Sequence, residues 1–141
     1  PLIIVDCGTA TTFECISPRG EFIGGAIAPG IRTAAEALTQ RAARLFQVEL
    51  VRPRSAIGRN TITNIQSGII YGYAGLVDGL VGRMRAEMEG EPTVVATGGL
   101  AGLIHDVARS IQVVNPNLTL EGIRLIYERS KEGGPRSSGL P

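Results

Sequence analysis

The sequence predicts an α/β fold, a mixed five-stranded sheet with flanking helices, and three observations carry that reading. Short β-branched runs punctuated by Gly and Pro open the chain, a long apolar repeat of helical period follows, and strand and helix patterns then alternate to the end.

Leu2 to Val5 is apolar and mostly β-branched, breaks at Asp6-Cys7-Gly8 and resumes as Thr11 to Ile16, which predicts two strands joined by a tight turn. Ser17-Pro18-Arg19-Gly20 is the next turn, and Glu21 to Ile27 is a third antiparallel strand interrupted by Gly24-Gly25. Pro29-Gly30 ends it. Thr33 to Arg44 then places Ala34, Ala37, Leu38 and Ala42 at helical spacing. A short strand is expected at Val48 to Val51. Asn60 or Thr61 caps a helix of about 25 residues carrying Ile65, Ile69, Tyr73, Leu76, Leu80 and Met84. Thr93 to Ala96 reads as a buried strand, Leu100 to Arg109 as a helix, Ile111 to Val114 as a strand and Leu118 to Arg129 as the last helix. Residues 1–132 are expected to form one lobe, and 133–141, rich in Gly, Pro and Ser, a loose tail.

Within the long helix, Gly68, Gly72, Gly75, Gly79 and Gly82 recur at alternating four and three residues, a stripe along one face. Each costs roughly 0.5 to 1 kcal/mol relative to Ala. Close internal packing against another backbone is the expected compensation, with a subunit contact as the second reading.

Composition excludes several classes. Fourteen Lys plus Arg against thirteen Asp plus Glu leave a net charge of +1 without a basic run, so nucleic acid is not an expected partner. The longest apolar stretch, Gly68 to Val77, is far below the ~20 residues that span a bilayer, so no membrane association is expected. No basic leader precedes Leu2, and the expected location is cytoplasmic. Cys7 and Cys15 lack the spacing of a metal cluster and read as buried free thiols; His105, alone on an amphipathic helix, receives no role.

The chemistry concentrates at turns. Asp6-Cys7-Gly8-Thr9-Ala10-Thr11-Thr12 sets a carboxylate, a glycine and hydroxyls on one hairpin, as a phosphate-binding turn requires. A carboxylate beside phosphate needs a cation between them, so Asp6 is either an ion ligand or a plain turn former. An aspartic protease would place the hydroxyl directly after Asp, where Cys7 stands. Thr97-Gly98-Gly99 joins a strand to a helix with room for a flat ligand, or is simply a tight turn. Gly24-Gly25-Ala26-Ile27-Ala28-Pro29-Gly30 suits substrate passing near backbone, or a sharp bend. Ile57-Gly58-Arg59-Asn60-Thr61 opens the long helix, where Arg59 could meet an anion and Thr61 a polar group, or where ordinary capping suffices.

Taken together, these turns and Ala96-Thr97-Gly98-Gly99-Leu100-Ala101 resemble type III pantothenate kinases, as does Asn117-Leu118-Thr119-Leu120-Glu121-Gly122. The element order is also that of one lobe of the actin-like sugar-kinase ATPase fold. The resemblance runs from residue 2 to about 130 and implies the C-terminal half of an enzyme that phosphorylates pantothenate with ATP and Mg2+, the first step of coenzyme A biosynthesis. It further implies a monovalent cation, potassium or ammonium, and a homodimer. By position it implies that Asp6 holds the cation, Gly8, Thr9, Gly98 and Gly99 meet ATP, and Thr61 touches pantothenate near the subunit boundary.

Glu14 stands where the family usually has Asp. The family's first phosphate turn and its Gly-x-Asp-Arg segment, which carries the aspartate base, have no counterpart among these residues, so no catalytic residue is assigned and the isolated chain is expected to be inactive. Alternatives are a non-catalytic regulatory or partner-binding protein of the same fold, and an oligomerisation lobe.

Overall fold

A computed structural model of the chain describes residues 1–42 and 44–132. The expected loose tail lies outside the described residues. The elements are β1 (Leu2–Cys7), β2 (Ala10–Ile16), β3 (Phe22–Pro29), α1 (Ile31–Arg41), α2 (Thr61–Glu87), β4 (Thr93–Thr97), α3 (Ala101–His105), β5 (Val113–Val114) and α4 (Leu118–Glu132).

The strands form one five-stranded sheet in the order β3-β2-β1-β4-β5. β1 and β2 pair antiparallel, as do β2 and β3, whereas β4 runs parallel to both β1 and β5. The sheet is therefore mixed, as the sequence predicts. Period-two alternation decides its faces: Ile3, Val5 and Cys7 of β1 and Thr11, Phe13 and Cys15 of β2 are buried, while Ile4, Asp6, Thr12 and Glu14 look to the other side.

The buried face meets α2 through Ile70, Tyr73, Ala74, Val77 and Val81, and α3 through Ile104. Residues such as Ile3, Val77 and Val94 are fully enclosed, each such side chain contributing about 1.5 to 3 kcal/mol. The opposite face is lightly covered. Leu118 and Gly122 of α4 approach it beside Ile4 and Ile16, while Leu120, Ile123, Ile126 and Tyr127 remain exposed. No helix among the described residues is long and apolar enough to cross a membrane.

The structure departs from the sequence reading at several places. Val48–Val51 is not a strand. Its region runs along α2, whose side chains occupy its carbonyls: Gln66 Nε2 donates to Glu49 O at 2.9 Å, Tyr71 OH to Pro53 O at 2.7 Å, and Ser67 Oγ to Ala56 O. With carbonyls met this way, no ladder partner is needed.

β5 is shortened for a similar reason. The Val94 amide donates to the Gln112 side-chain oxygen at 2.8 Å, so a side chain takes the place of one rung. α3 stops at His105 because the following turn is held by α2: Asp78 accepts from the Arg109 amide at 3.1 Å and from the Ser110 amide and hydroxyl at 2.9 and 2.7 Å.

The glycine stripe does not pack internally. Gly68, Gly72, Gly75, Gly79 and Gly82 are all exposed, and a Cβ added to any of them would meet nothing within 4 Å. The core uses the other side of α2, so the stripe lines its solvent face.

β3 forms one edge of the sheet. Opposite Cys15 and Ile16 its register shifts as a bulge, Gly24 adopts φ +127°, and Gly25 lies so close to the Phe13 carbonyl that a Cβ would overlap it. The glycine pair thus serves a bend and close strand contact. Cys7 and Cys15 are buried free thiols, as expected.

Burial raises the Asp78 carboxyl, but the Ser110 and Arg109 hydrogen bonds and the Arg109 charge outweigh it and leave its pKa below the ordinary 3.8. A carboxylate depressed on folding stabilises above its unfolded pKa, and that contribution disappears as pH falls through the folded value. Urea unfolding from about pH 6 down to about pH 3 should therefore show stability falling at the acid end, with a shallower fall in Asp78→Asn. Equal pH slopes for the two proteins would remove Asp78 from this role.

Candidate functional site

The parallel pairing of β1 with β4 sets Asp6 opposite Thr97, so the turn leaving β1 and the turn leaving β4 lie side by side at one end of the sheet. Their contact is close. Gly98 has φ +90°, and a Cβ there would stand 2.6 Å from Asp6 Oδ1 and 2.7 Å from the Cys7 carbonyl oxygen. Gly98 is the residue that lets the two turns touch.

A third segment closes the arrangement. Gly30 lies against the Gly8 and Thr9 carbonyls, where a Cβ would overlap both; its amide donates to Thr9 O at 3.0 Å, and Thr33 Oγ1 donates to the same oxygen at 2.8 Å. The start of α1 is thereby fastened to the hairpin turn.

An open pocket of about 350 Å³ results, lined by Cys7, Gly8, Thr9, Arg32, Thr33, Glu36, Gly99 and Leu100. That volume suits the small-ligand range of ~300–1,000 Å³. The Thr9 side chain is exposed there, and nothing stands within 4 Å of a Cβ placed on Gly99. Arg32, on the first turn of α1, adds a cation at the rim.

Of the sequence-predicted residues, Gly8, Thr9 and Gly99 share this pocket, with Gly98 forming the contact beneath. Asp6 does not line it. Its carboxylate belongs to the other sheet face, in a second hollow of about 410 Å³ shared with Glu14, Thr97 and Thr119 among others. Thr61 is also separate, in an apolar pocket of about 540 Å³ between α1 and α2 with Leu38, Leu45, Asn64, Ile65, Gly68 and Ile69. Arg59 lies in yet another, with Arg52 and Arg54.

Several assignments narrow. The Gly8 amide donates to Ala10 O at 3.1 Å and is used within the turn. Thr11 is fully buried, its hydroxyl paired with the Tyr73 hydroxyl, so it faces the core and not the pocket. Asn60, not Thr61, caps α2: its side chain accepts from the Thr63 amide at 2.9 Å in a reciprocal capping box. His105 is exposed.

Sequence reasoning missed Arg32, Thr33 and Glu36. Their signal was position: the residues just after Pro29-Gly30 open a helix, and i, i+4 spacing puts Arg32 and Glu36 on one face.

Cys7 forms part of the wall, but burial, followed by the charge of Asp6, pushes its thiol up to about 11. It is a thiol at neutral pH and not a nucleophile. Among the described residues no group of three His, Cys, Asp or Glu is placed to hold a metal ion. Asp6 and Thr97, which line the same hollow, carry oxygen donors of the type that hard cations take.

A family model described as type III pantothenate kinase matches residues 1–83, more than half of the chain. This chain belongs to the type III pantothenate kinase family. It is 60% identical over 131 residues to type III pantothenate kinase 1 of Symbiobacterium thermophilum, covering 91% of this chain and 49% of that protein. It is 58% identical over 130 residues to the type III pantothenate kinase of Moorella thermoacetica, covering 92% of this chain and 51% of that one. The chain thus spans about half the length of the curated relatives it matches. The fold of this pantothenate kinase family is the actin-like ATPase fold, and the mixed sheet with flanking helices accords with it. A crystal structure of a conserved Baf family protein from Campylobacter jejuni shares the fold at TM-score 0.66 and 22% identity, covering 93% of this chain and 59% of that one.

Gly98→Ala should destabilise the protein by about 2 kcal/mol or more, because it combines a disfavoured φ with overlap on Asp6 and Cys7. Gly99→Ala, with open space around it, should change stability by no more than about 0.5 kcal/mol. Urea midpoints measured on both decide it, and equal midpoints would refute the close-contact role.

Proposed function

We propose that this chain supplies one half of a type III pantothenate kinase, which transfers the γ-phosphate of ATP to the primary hydroxyl of pantothenate. The observation that carries the reading is the pocket where the Gly8-Thr9 turn, the Gly99-Leu100 turn and the start of α1 meet, in a chain of this family.

In this reading the Thr9 hydroxyl donates to a phosphate oxygen, Gly98 and Gly99 leave the nucleotide room to approach backbone, and Arg32 offsets anionic charge. ATP would carry Mg2+ as its counter-ion. Asp6 would hold a monovalent cation, potassium or ammonium, from the second hollow that it shares with Thr97; its Oδ1 lies against Gly98, so the ion would offset phosphate charge from behind the Gly98 turn and not from within the pocket. The base that receives the hydroxyl proton is assigned to none of these residues, so this half alone is a poor catalyst.

Thr61 does not line the same pocket within one chain, since it belongs to the separate pocket between α1 and α2. A homodimer resolves this: the exposed glycine stripe beside Thr61 allows a second copy to approach α2 closely and bring Thr61 toward substrate. The five exposed glycines, each costing stability, favour this subunit-contact reading. A cytoplasmic location accompanies the proposal.

Full-length parent enzyme should phosphorylate pantothenate with ATP faster in potassium than in sodium. Asp6→Asn should lower kcat/KM on the order of a hundredfold. Absence of turnover with either cation would transfer support to a non-catalytic, partner-binding member of the fold.

Light scattering should give twice the protomer mass for the full-length protein, and Gly75→Arg, which loads a bulky charge onto the stripe, should yield monomers with KM for pantothenate raised about tenfold or more. A dimeric Gly75→Arg with unaltered kinetics would place the subunit contact elsewhere.

A further inference from the structure

Beneath the phosphate turn lies a buried polar pair that the proposed reaction does not use. Thr11 is 0% exposed and Tyr73 6%, and their hydroxyls bond to each other. Burial raises the Tyr73 pKa, with the neighbouring Cys7 adding to it, so the phenol stays neutral.

The placement of the pair matters. Thr11 is the residue opposite Cys7, the last rung of the β1–β2 hairpin, and only Gly8, Thr9 and Ala10 lie beyond it. Cys7 in turn carries the carbonyl against which Gly98 rests. A force applied at the Thr11 hydroxyl therefore acts on the base of the hairpin turn and, through Cys7, on the neighbouring Gly98 turn.

Stability alone does not account for two hydroxyls here. A valine and a phenylalanine would fill similar space, and replacing both members of a buried hydrogen-bonded pair by apolar groups is often close to neutral. What a hydrogen bond adds is direction, fixing where one element stands against another. The element on the other side is α2, which carries Thr61 at its far end, about 18 Å away at 1.5 Å per residue.

We propose that Tyr73 is a positioning residue, whose hydroxyl ties α2 to the phosphate turn through Thr11 and holds that turn in its nucleotide-binding shape. The nucleotide part rests on the kinase reading above; the ordering of the turn does not.

The test uses the full-length parent protein with Tyr73→Phe and, as control, Tyr71→Phe, whose hydroxyl instead holds Pro53 O. Amide hydrogen exchange at residues 8–10 should quicken about fivefold or more in Tyr73→Phe and stay unchanged in Tyr71→Phe. KM for ATP should rise about fivefold while kcat and KM for pantothenate stay within about twofold, a split that general destabilisation would not produce. Should Tyr73→Phe fail to fold, the double variant Thr11→Val with Tyr73→Phe removes both hydroxyls without orphaning either, and the same exchange and KM changes are expected of it. Unchanged exchange at residues 8–10 in a folded variant, a uniform quickening across the sheet, or a joint rise of both KM values would overturn the proposal. If wild type shows no turnover at all, the kinase reading falls, and the exchange result alone decides the role of Tyr73.

Discussion

The close approach of Gly98 to the Cys7 carbonyl and the Asp6 carboxylate is the constraint on which the rest of the site depends. It exists because β4 runs parallel to β1 with Asp6 level with Thr97, so both strands release their turns at the same end. Parallel neighbours need a long crossover, and α2 provides it, packing its apolar side across the sheet that it connects. Topology thus delivers two turns to one place, and a missing Cβ lets them meet.

The sheet divides its labour by face. Cys7, Thr11 and Phe13 point into the core against α2, whereas Asp6, Thr12 and Glu14 point away, toward the lightly covered side. The Asp6 carboxylate on that side is half-buried, while the Cys7 thiol next to it is shut away. One residue step along β1 separates a carboxylate on the open face from a core residue.

The three opening strands, the long helix and the turn motifs were legible because their signals are local: alternation, helical period, and Gly or Pro at breaks. What escaped was set by partners distant in sequence. Val48–Val51 has strand composition, yet Gln66, Ser67 and Tyr71 serve the carbonyls around it. The end of α3 is fixed by Asp78 from another helix. The glycine stripe was visible, but which side of α2 faces the sheet depends on the competing stripe of Ile70, Tyr73, Ala74, Val77 and Val81. In the site, the turn residues could be named from sequence. That Asp6 and Thr9 open to different hollows follows from strand parity, and that Thr61 is remote follows from the length of α2.

The bent edge of the sheet has a consequence for solubility. Among the described residues β3 is an edge strand with one unpaired side, and its Ile23 and Ile27 are 54% and 80% exposed. A flat strand of that kind would template the addition of further chains. Here the bulge, the positive-φ Gly24 and the terminal Pro29 spoil the regular row of donors and acceptors that an incoming strand would need. The same irregularity that shapes the end of the hairpin sheet thus guards it against open-ended, fibre-like growth.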